Sequence, residues 1–246
     1  MTKSSTSSPL PIPDANWALF LDLDGTLIDI AARPDRVVVP DGLVATLSDI
    51  RDSLGGALAL ISGRTLTDID RLTAPFQFAC AGEHGAILRF TKGKVRTRRD
   101  DYIFPESLRA ELRAAAANWP GVTIEDKIYN IVAHYRQAPS WHASVRDFTR
   151  SLAARAGPEF EALPARMAFE IRHRRLNKGA AVLAFMAEPP FAGRLPVFVG
   201  DDVTDEDGFR AAVAQGGLGL DVRVQFDGEA ARVRNWLQSV RLQLRN

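Results

Sequence analysis

Residues 18–27, Ala-Leu-Phe-Leu-Asp-Leu-Asp-Gly-Thr-Leu, constrain the fold more than any other stretch of the chain. Its opening run is apolar without alternation, and such a strand is satisfied only when both faces are covered, as in a parallel sheet flanked by helices. The run stops at two carboxylates, Asp22 and Asp24, followed by Gly25 and Thr26. Residues two apart share a face of a strand, so an extended exit brings both carboxylates to one point beyond the strand end. Two like charges held there are unfavourable unless a cation joins them or one carries a proton. A metal-assisted pair, one carboxylate attacking and the other moving a proton, meets both conditions. A plain polar turn uses the same residue types, so the rest of the chain has to decide.

Three further segments repeat the design of an apolar run that stops at polar residues. They are Ala57–Ser62 before Gly63, Arg64 and Thr65; Phe76–Ala81 before Gly82-Glu83-His84-Gly85; and Pro196–Gly200 before Asp201 and Asp202. Helical spacing lies between them, as in Leu43, Leu47, Ile50 and Leu54. Strand–helix alternation predicts an open α/β sheet, whose ligand sits beyond the carboxyl ends of the strands.

The middle of the chain obeys a different period. Ile131, Ala133 and Tyr135 alternate with polar residues including His134 and Arg136, and Met167, Phe169 and Ile171 alternate with Glu170 and Arg172. Thr123–Lys127 sets Ile124 against Glu125 and Lys127. This predicts an antiparallel sheet with one packed and one open face. Helices are expected near Glu106–Asn118 and over Ser140–Ala156, the second between a serine and Gly157-Pro158. The expected organisation is a tail over 1–14, a core domain over 15–98 and 176–246, and an inserted α+β domain over 99–175. The stretch from Asp227 to Asn246 reads as a helix with a packing role.

Composition narrows the function. The 246 residues carry a net charge of +1, which gives no bulk attraction to nucleic acid or to an anionic membrane. A single cysteine, Cys80, excludes a disulfide framework and a Cys-rich metal site, and reads as a small core residue. No apolar run reaches membrane-spanning length, and the N-terminus lacks the apolar block of a secretory signal, so a cytoplasmic protein is expected.

Ser62-Gly63 at a strand end before a helix start is a candidate anion cradle. Asn177 is a good helix cap, which puts Lys178 in a first turn where the dipole disfavours it; a fixed cation opposite carboxylates and a phosphoryl group would explain it, as would a solvated surface. Residues 201–207 hold five acids in seven positions. Thr204 and Asp207 have the spacing of a capping-box-like pair, which leaves Asp201 and Asp202 unexplained without a cation. Oxygen ligands with no supporting His or Cys point to Mg²⁺. The four histidines, His84, His134, His142 and His173, show no metal-ligand spacing.

In order, Asp-x-Asp-Gly-Thr, Ser-Gly, Lys-Gly and Gly-Asp-Asp resemble the motifs of the haloacid dehalogenase superfamily, phosphatase branch, and the insertion resembles its α+β cap type. More narrowly, Ala81–Arg89, Glu125-Asp126-Lys127, His134-Tyr135-Arg136, Asn177-Lys178-Gly179 and Phe198–Glu206 resemble the trehalose-6-phosphate phosphatases. The resemblance implies a Rossmann-like core with a cap and a Mg²⁺-dependent phosphatase acting on a small-molecule sugar phosphate, as a monomer. It implies Asp22 as nucleophile, Asp24 as acid and base, and Ser62, Gly63 and Lys178 as phosphoryl ligands. It also implies a metal held by Asp22, the Asp24 backbone carbonyl and Asp201, with Glu125, Lys127 and Glu170 as sugar contacts. Asp202 and Asp205 are expected in supporting or capping roles. Two other readings stay open: the same chemistry on sucrose 6-phosphate or mannosyl-3-phosphoglycerate, and a silent phosphosugar-binding protein.

Overall fold

The first strand is buried at every position, as its unbroken apolar run requires. In the computed structural model, residues 10–31, 36–90, 94–97, 102–165 and 167–245 are described. The expected tail over 1–14 lies in large part outside them, as does the first expected domain junction at 98/99.

The chain divides into two compact units, Met1–Arg96 with Asn177–Asn246, and Thr97–Leu176. In chain order the elements are β1 (Trp17–Leu21), α1 (Leu43–Ser53), β2 (Leu58–Ile61), α2 (Leu66–Thr73), β3 (Ala79–Gly82), β4 (Ile87–Arg89), β5 (Val95–Thr97), α3 (Glu106–Ala116), β6 (Thr123–Asp126), β7 (Ile131–His134), α4 (His142–Ala156), β8 (Phe160–Ala165), β9 (Ala168–His173), α5 (Lys178–Met186), β10 (Leu195–Gly200), α6 (Glu206–Ala214), β11 (Leu218–Asp221), α7 (Val222–Gln225) and α8 (Ala230–Gln243).

The first unit is built on a sheet of order β11-β10-β1-β2-β3-β4-β5. Its five strands from β11 to β3 run parallel, and β4 returns antiparallel to β3. Helices with buried apolar faces cover it: Leu47 and Ile50 of α1, Val182 and Phe185 of α5, and Val233, Leu237 and Val240 of α8 all join its core. This is the open α/β sheet that the alternation predicts and the Rossmann-like core that the resemblance implies. Strand β1 lies between β2 and β10, where the strand order reverses, and that point is where open α/β sheets bind ligands. The register Leu21↔Val199 places Asp22 beside the end of β10, and the Asp22 amide donates to the Val199 carbonyl at 3.0 Å.

The second unit carries an antiparallel sheet of order β6-β7-β9-β8. Ile131, Ala133, Phe169 and Ile171 are buried with Leu108 and Leu112 of α3 and Val145 and Leu152 of α4, so helices cover one face. Registers Glu125↔Val132 and Val132↔Glu170 put Glu125 and Glu170 on the opposite face, since partners across an antiparallel pair point the same way.

Some local expectations need correction. Ser140 does not cap α4; a 3₁₀ turn over Pro139–Trp141 precedes it, and Trp141 is the cap position without a side-chain bond. The third strand begins at Ala79 rather than Phe76, whose amide is still bonded to the Thr73 carbonyl after α2. Strand β8 is an addition to the strands expected from alternation; it contains Pro164 and lies on a sheet edge, where proline is tolerated. Among the described residues no helix is long and apolar enough to cross a membrane.

Candidate active site

The carboxyl ends of β1 and β10 gather four acids around one ammonium. Asp22 follows β1 and is buried. Its Oδ1 accepts from Lys178 Nζ at 2.7 Å, and its Oδ2 from Thr26 Oγ1 at 3.3 Å. Thr26 Oγ1 also lies 3.2 Å from Asp201 Oδ1, so one hydroxyl joins the two strand ends. Gly25 makes this approach possible. It has φ +86°, and a Cβ there would fall 2.2 Å from Asp201 Oδ2.

Lys178 reaches the cluster from the first turn of α5, whose cap Asn177 accepts the Ala180 amide at 2.8 Å. The ammonium is buried and bonded to Asp205 Oδ1 at 2.6 Å as well as to Asp22. Burial works against its charge, but Asp205 and Asp22 hold its pKa well above the ordinary lysine range. The locally unfavourable position at a helix N-terminus is therefore offset by two carboxylates.

Asp205 is the residue that the sequence left undervalued. It is fully buried, and its Oδ2 accepts the amides of Asp201 and Asp202 at 3.0 and 3.1 Å. With both oxygens occupied, it fixes Lys178 and the turn that carries Asp201. Gly200 leaves room for it, since a Cβ there would sit 2.2 Å from the Asp205 carboxyl carbon. The capping pair is Asp202 with Asp205, not Thr204 with Asp207. The Asp202 Oδ1 takes the Thr204 amide at 2.8 Å, while Asp207 turns to Arg210. Both pairs have the right spacing, and the 3₁₀ turn over Val203–Asp205 starts the helix one cap earlier.

Burial, with crowding by neighbouring acids, raises Asp22 well above the usual carboxylate range against the pull of Lys178. The same causes push Asp201 up to about 6, against the pull of Lys178 and Thr26. Such a cluster is short of positive charge. Asp22, Asp201 and Asp205 each bring a carboxylate oxygen within 4.8 Å of the others. Because Lys178 and two amides engage Asp205, the oxygens left for a cation are Asp22 Oδ2 and those of Asp201. An all-oxygen donor set of this charge fits Mg²⁺.

Asp24 takes a different partner, Arg64. Its two oxygens meet Arg64 Nε and Nη2, each at 2.6 Å, the bidentate pairing that fixes a carboxylate's direction. Nothing in the sequence links Asp24 to a residue forty positions on. Ser62 is buried at the end of β2, and its Oγ accepts the Arg64 amide at 3.2 Å. The backbone behind it is strapped to the next strand end: the Glu83 amide donates to the Arg64 carbonyl and the His84 amide to the Ser62 carbonyl. Glu83 and His84 both adopt positive φ, at 47° and 56°, which costs energy in non-glycine residues and is concentrated at functional sites. Cys80 is buried in β3, as expected.

In the second unit, Glu125 bonds to His134 Nε2 at 2.9 Å and to Lys127 Nζ at 3.2 Å. Against the cost of burial, His134 and Lys127 bring the Glu125 pKa down to about 2. Glu170 is buried and accepts from Asn130 Nδ2. The sheet thus presents Glu125, Lys127 and Glu170 on one face.

Comparison with known proteins shows the family of the chain. A family model described as trehalose-phosphatase matches residues 20–236. A probable trehalose-phosphate phosphatase of Sinorhizobium fredii is 48% identical over 205 residues, covering 83% of this chain and 77% of that one. The trehalose-6-phosphate phosphatase of Escherichia coli is 36% identical over 236 residues, covering 96% and 86%. The fold is shared with the C-terminal domain of the C. albicans trehalose-6-phosphate phosphatase at a TM-score of 0.74 and 19% identity, over 92% of this chain and 91% of that one. The family model spans both the acidic cluster and the four-stranded sheet, and the chain belongs to the trehalose-phosphatase family.

Proposed function

We propose that this protein is a Mg²⁺-dependent phosphatase that hydrolyses trehalose 6-phosphate to trehalose and phosphate through an aspartyl-phosphate on Asp22. The observation that carries the reading is the Asp22 carboxylate held between Lys178 and Thr26 beside Asp201, in a chain of the trehalose-phosphatase family.

In the first step Asp22 attacks phosphorus in line; an oxygen–phosphorus bond forms to Asp22 as the bond to the sugar oxygen breaks. Asp24 gives its proton to that leaving oxygen. In the second step Asp24 takes a proton from water as the water attacks phosphorus, which releases phosphate and restores the Asp22 carboxylate. Ser62 and the Gly63 amide, at a helix entry, donate to phosphoryl oxygens, and Lys178 balances their developing charge. Asp22, Asp201 and the Asp24 backbone carbonyl would hold Mg²⁺, which lets an anionic nucleophile meet an anionic phosphoryl group. Asp205 keeps Lys178 charged and in place. Arg64 sets the direction of the Asp24 carboxylate.

The second unit acts as the cap that selects the leaving group. A disaccharide offers many hydroxyls and little charge, and it is read by carboxylates that accept and ammonium groups that donate. Glu125, Lys127 and Glu170 are those groups. As part of the same proposal the enzyme works as a cytoplasmic monomer, and sedimentation at the mass of one chain tests the oligomeric state.

The experiment is a panel of trehalose 6-phosphate, sucrose 6-phosphate and mannosyl-3-phosphoglycerate, with Mg²⁺ and with a chelator. The highest kcat/KM is expected for trehalose 6-phosphate, with turnover lost on chelation. A higher value for another sugar reassigns the substrate, and binding without turnover rejects an enzyme.

A further inference from the structure

The turn between β6 and β7 is held from behind by one buried guanidinium. Arg109 of α3 donates to the carbonyls of Phe104 and Ile128, each at 2.9 Å, of Lys127 at 2.7 Å and of Asn130 at 3.3 Å. It also pairs with Asp126. A planar fork that meets four carbonyls and a carboxylate at once leaves the turn little freedom. The side chain that this turn delivers is Asn130, which is 1% exposed.

The Asn130 amide has two unequal ends. Its Nδ2 donates to Glu170 Oε1. Its Oδ1 is buried and has no hydrogen-bond partner among the described residues. Rotating the amide would set Oδ1 against the Glu170 carboxylate, acceptor against acceptor, so Glu170 fixes which end is which. A buried acceptor without a partner is costly, and such groups are rare enough in folded proteins to call for an explanation. Here the orphaned atom sits beside a carboxylate that the proposed function assigns to the sugar.

We infer that Asn130 is a further specificity residue for the leaving sugar: its nitrogen positions the Glu170 carboxylate, and its oxygen accepts a sugar hydroxyl. An acceptor fixed next to a carboxylate suits two neighbouring hydroxyls of a pyranose ring. The inference rests on the reading of Glu125, Lys127 and Glu170 as sugar contacts.

Steady-state kinetics of Asn130→Ala and the isosteric Asn130→Asp, beside wild type and Glu125→Ala, on trehalose 6-phosphate and on p-nitrophenyl phosphate test it. In Asn130→Ala, KM for trehalose 6-phosphate is expected to rise about 10-fold while kcat falls less than about 3-fold. The ratio of kcat/KM for the sugar phosphate over the aryl phosphate falls about 10-fold. Asn130→Asp keeps the shape but sets a second carboxylate against Glu170, so its KM rises at least as much. Equal losses on both substrates, or loss of the native circular dichroism spectrum in both variants, would make Asn130 structural and overturn the inference. An unchanged KM in both variants while Glu125→Ala raises it would do the same. No selective effect in Glu125→Ala either would instead overturn the sugar-face reading on which the inference stands.

Discussion

The two polar regions of this molecule solve opposite problems. At the ends of β1 and β10, Asp22, Asp201, Asp202 and Asp205 share one ammonium, Lys178. On the polar face of the four-stranded sheet, which is buried along β9 rather than open as expected, Glu125 is matched by Lys127 and His134, and Glu170 is held by a neutral amide. The first region is built with a deficit of positive charge; burial drives Asp22, Asp201 and Asp205 upward, while, against burial, Lys178 and Thr204 bring Asp202 down. The second is built nearly balanced, and its best-defined carboxyl is driven down to about 2. A deficit suits a metal ion carrying a phosphoryl group; a balanced face suits an uncharged polyol. On the proposed function, phosphoryl transfer falls to the first region and sugar recognition to the second, each in keeping with how it treats its own charges.

Substitutions at Asp22 attack the comparison where the effect is largest. Asp22→Asn keeps the shape but removes the nucleophile, and kcat on trehalose 6-phosphate should fall more than about 10⁴-fold. Its circular dichroism spectrum should match wild type, because the change also relieves a crowded buried charge. Retained turnover would remove Asp22 from the reaction.

Lys178→Met comes next. It leaves Asp22 and Asp205 buried without their cation, a situation that costs about 3–5 kcal/mol. Urea unfolding should show that loss, and kcat should fall about 10²–10³-fold with the phosphoryl charge uncompensated. A variant of normal stability would mean that the cluster does not depend on its one ammonium.

Glu125→Ala probes the balanced face. Catalytic efficiency on trehalose 6-phosphate should fall about 10–100-fold, against less than about 3-fold on p-nitrophenyl phosphate. Equal losses would place Glu125 outside sugar recognition and erase the contrast between the regions.

The smallest effect is a difference in pH response. Asp201 is raised from 3.8 to about 6; a raised carboxyl stabilises the fold below its ordinary pKa and loses that contribution as pH climbs through about 6. Glu125 is lowered, so its contribution is present above 4.5 and is lost only as pH falls toward about 2. Acid should therefore first relieve the cluster and only later weaken the sugar face. On the proposed function Mg²⁺ would bind the deprotonated cluster, so the rise in melting temperature that it gives should be larger at about pH 7.5 than at about pH 5. An equal rise at both values would separate the ion from Asp201.

Much of this was legible in the chain because its chemistry follows strand ends. The unbroken run before Asp22 pointed to a parallel sheet covered on both faces, and Lys178 stood out because a lysine in the first turn of a helix is out of place. What escaped the sequence depends on contacts with no local period. The pairing of Asp24 with Arg64 spans forty residues, and the full occupation of Asp205 is set by where two amides and one ammonium happen to point. The cap at Asp202 was misread because Asp202/Asp205 and Thr204/Asp207 share one spacing, and only the turn over Val203–Asp205 distinguishes them. Asn130 has no sequence signature; its place is fixed by a guanidinium on α3.

The account stands or falls on where the phosphoryl group goes. Acid quenching during turnover of trehalose 6-phosphate with Mg²⁺, followed by peptide mass mapping, locates it directly. The expected result is one phosphoryl group on the peptide that contains Asp22, present within the first turnover and absent in Asp22→Asn. Phosphate released at the full rate with the label on another residue, or on none across the time course, would contradict it.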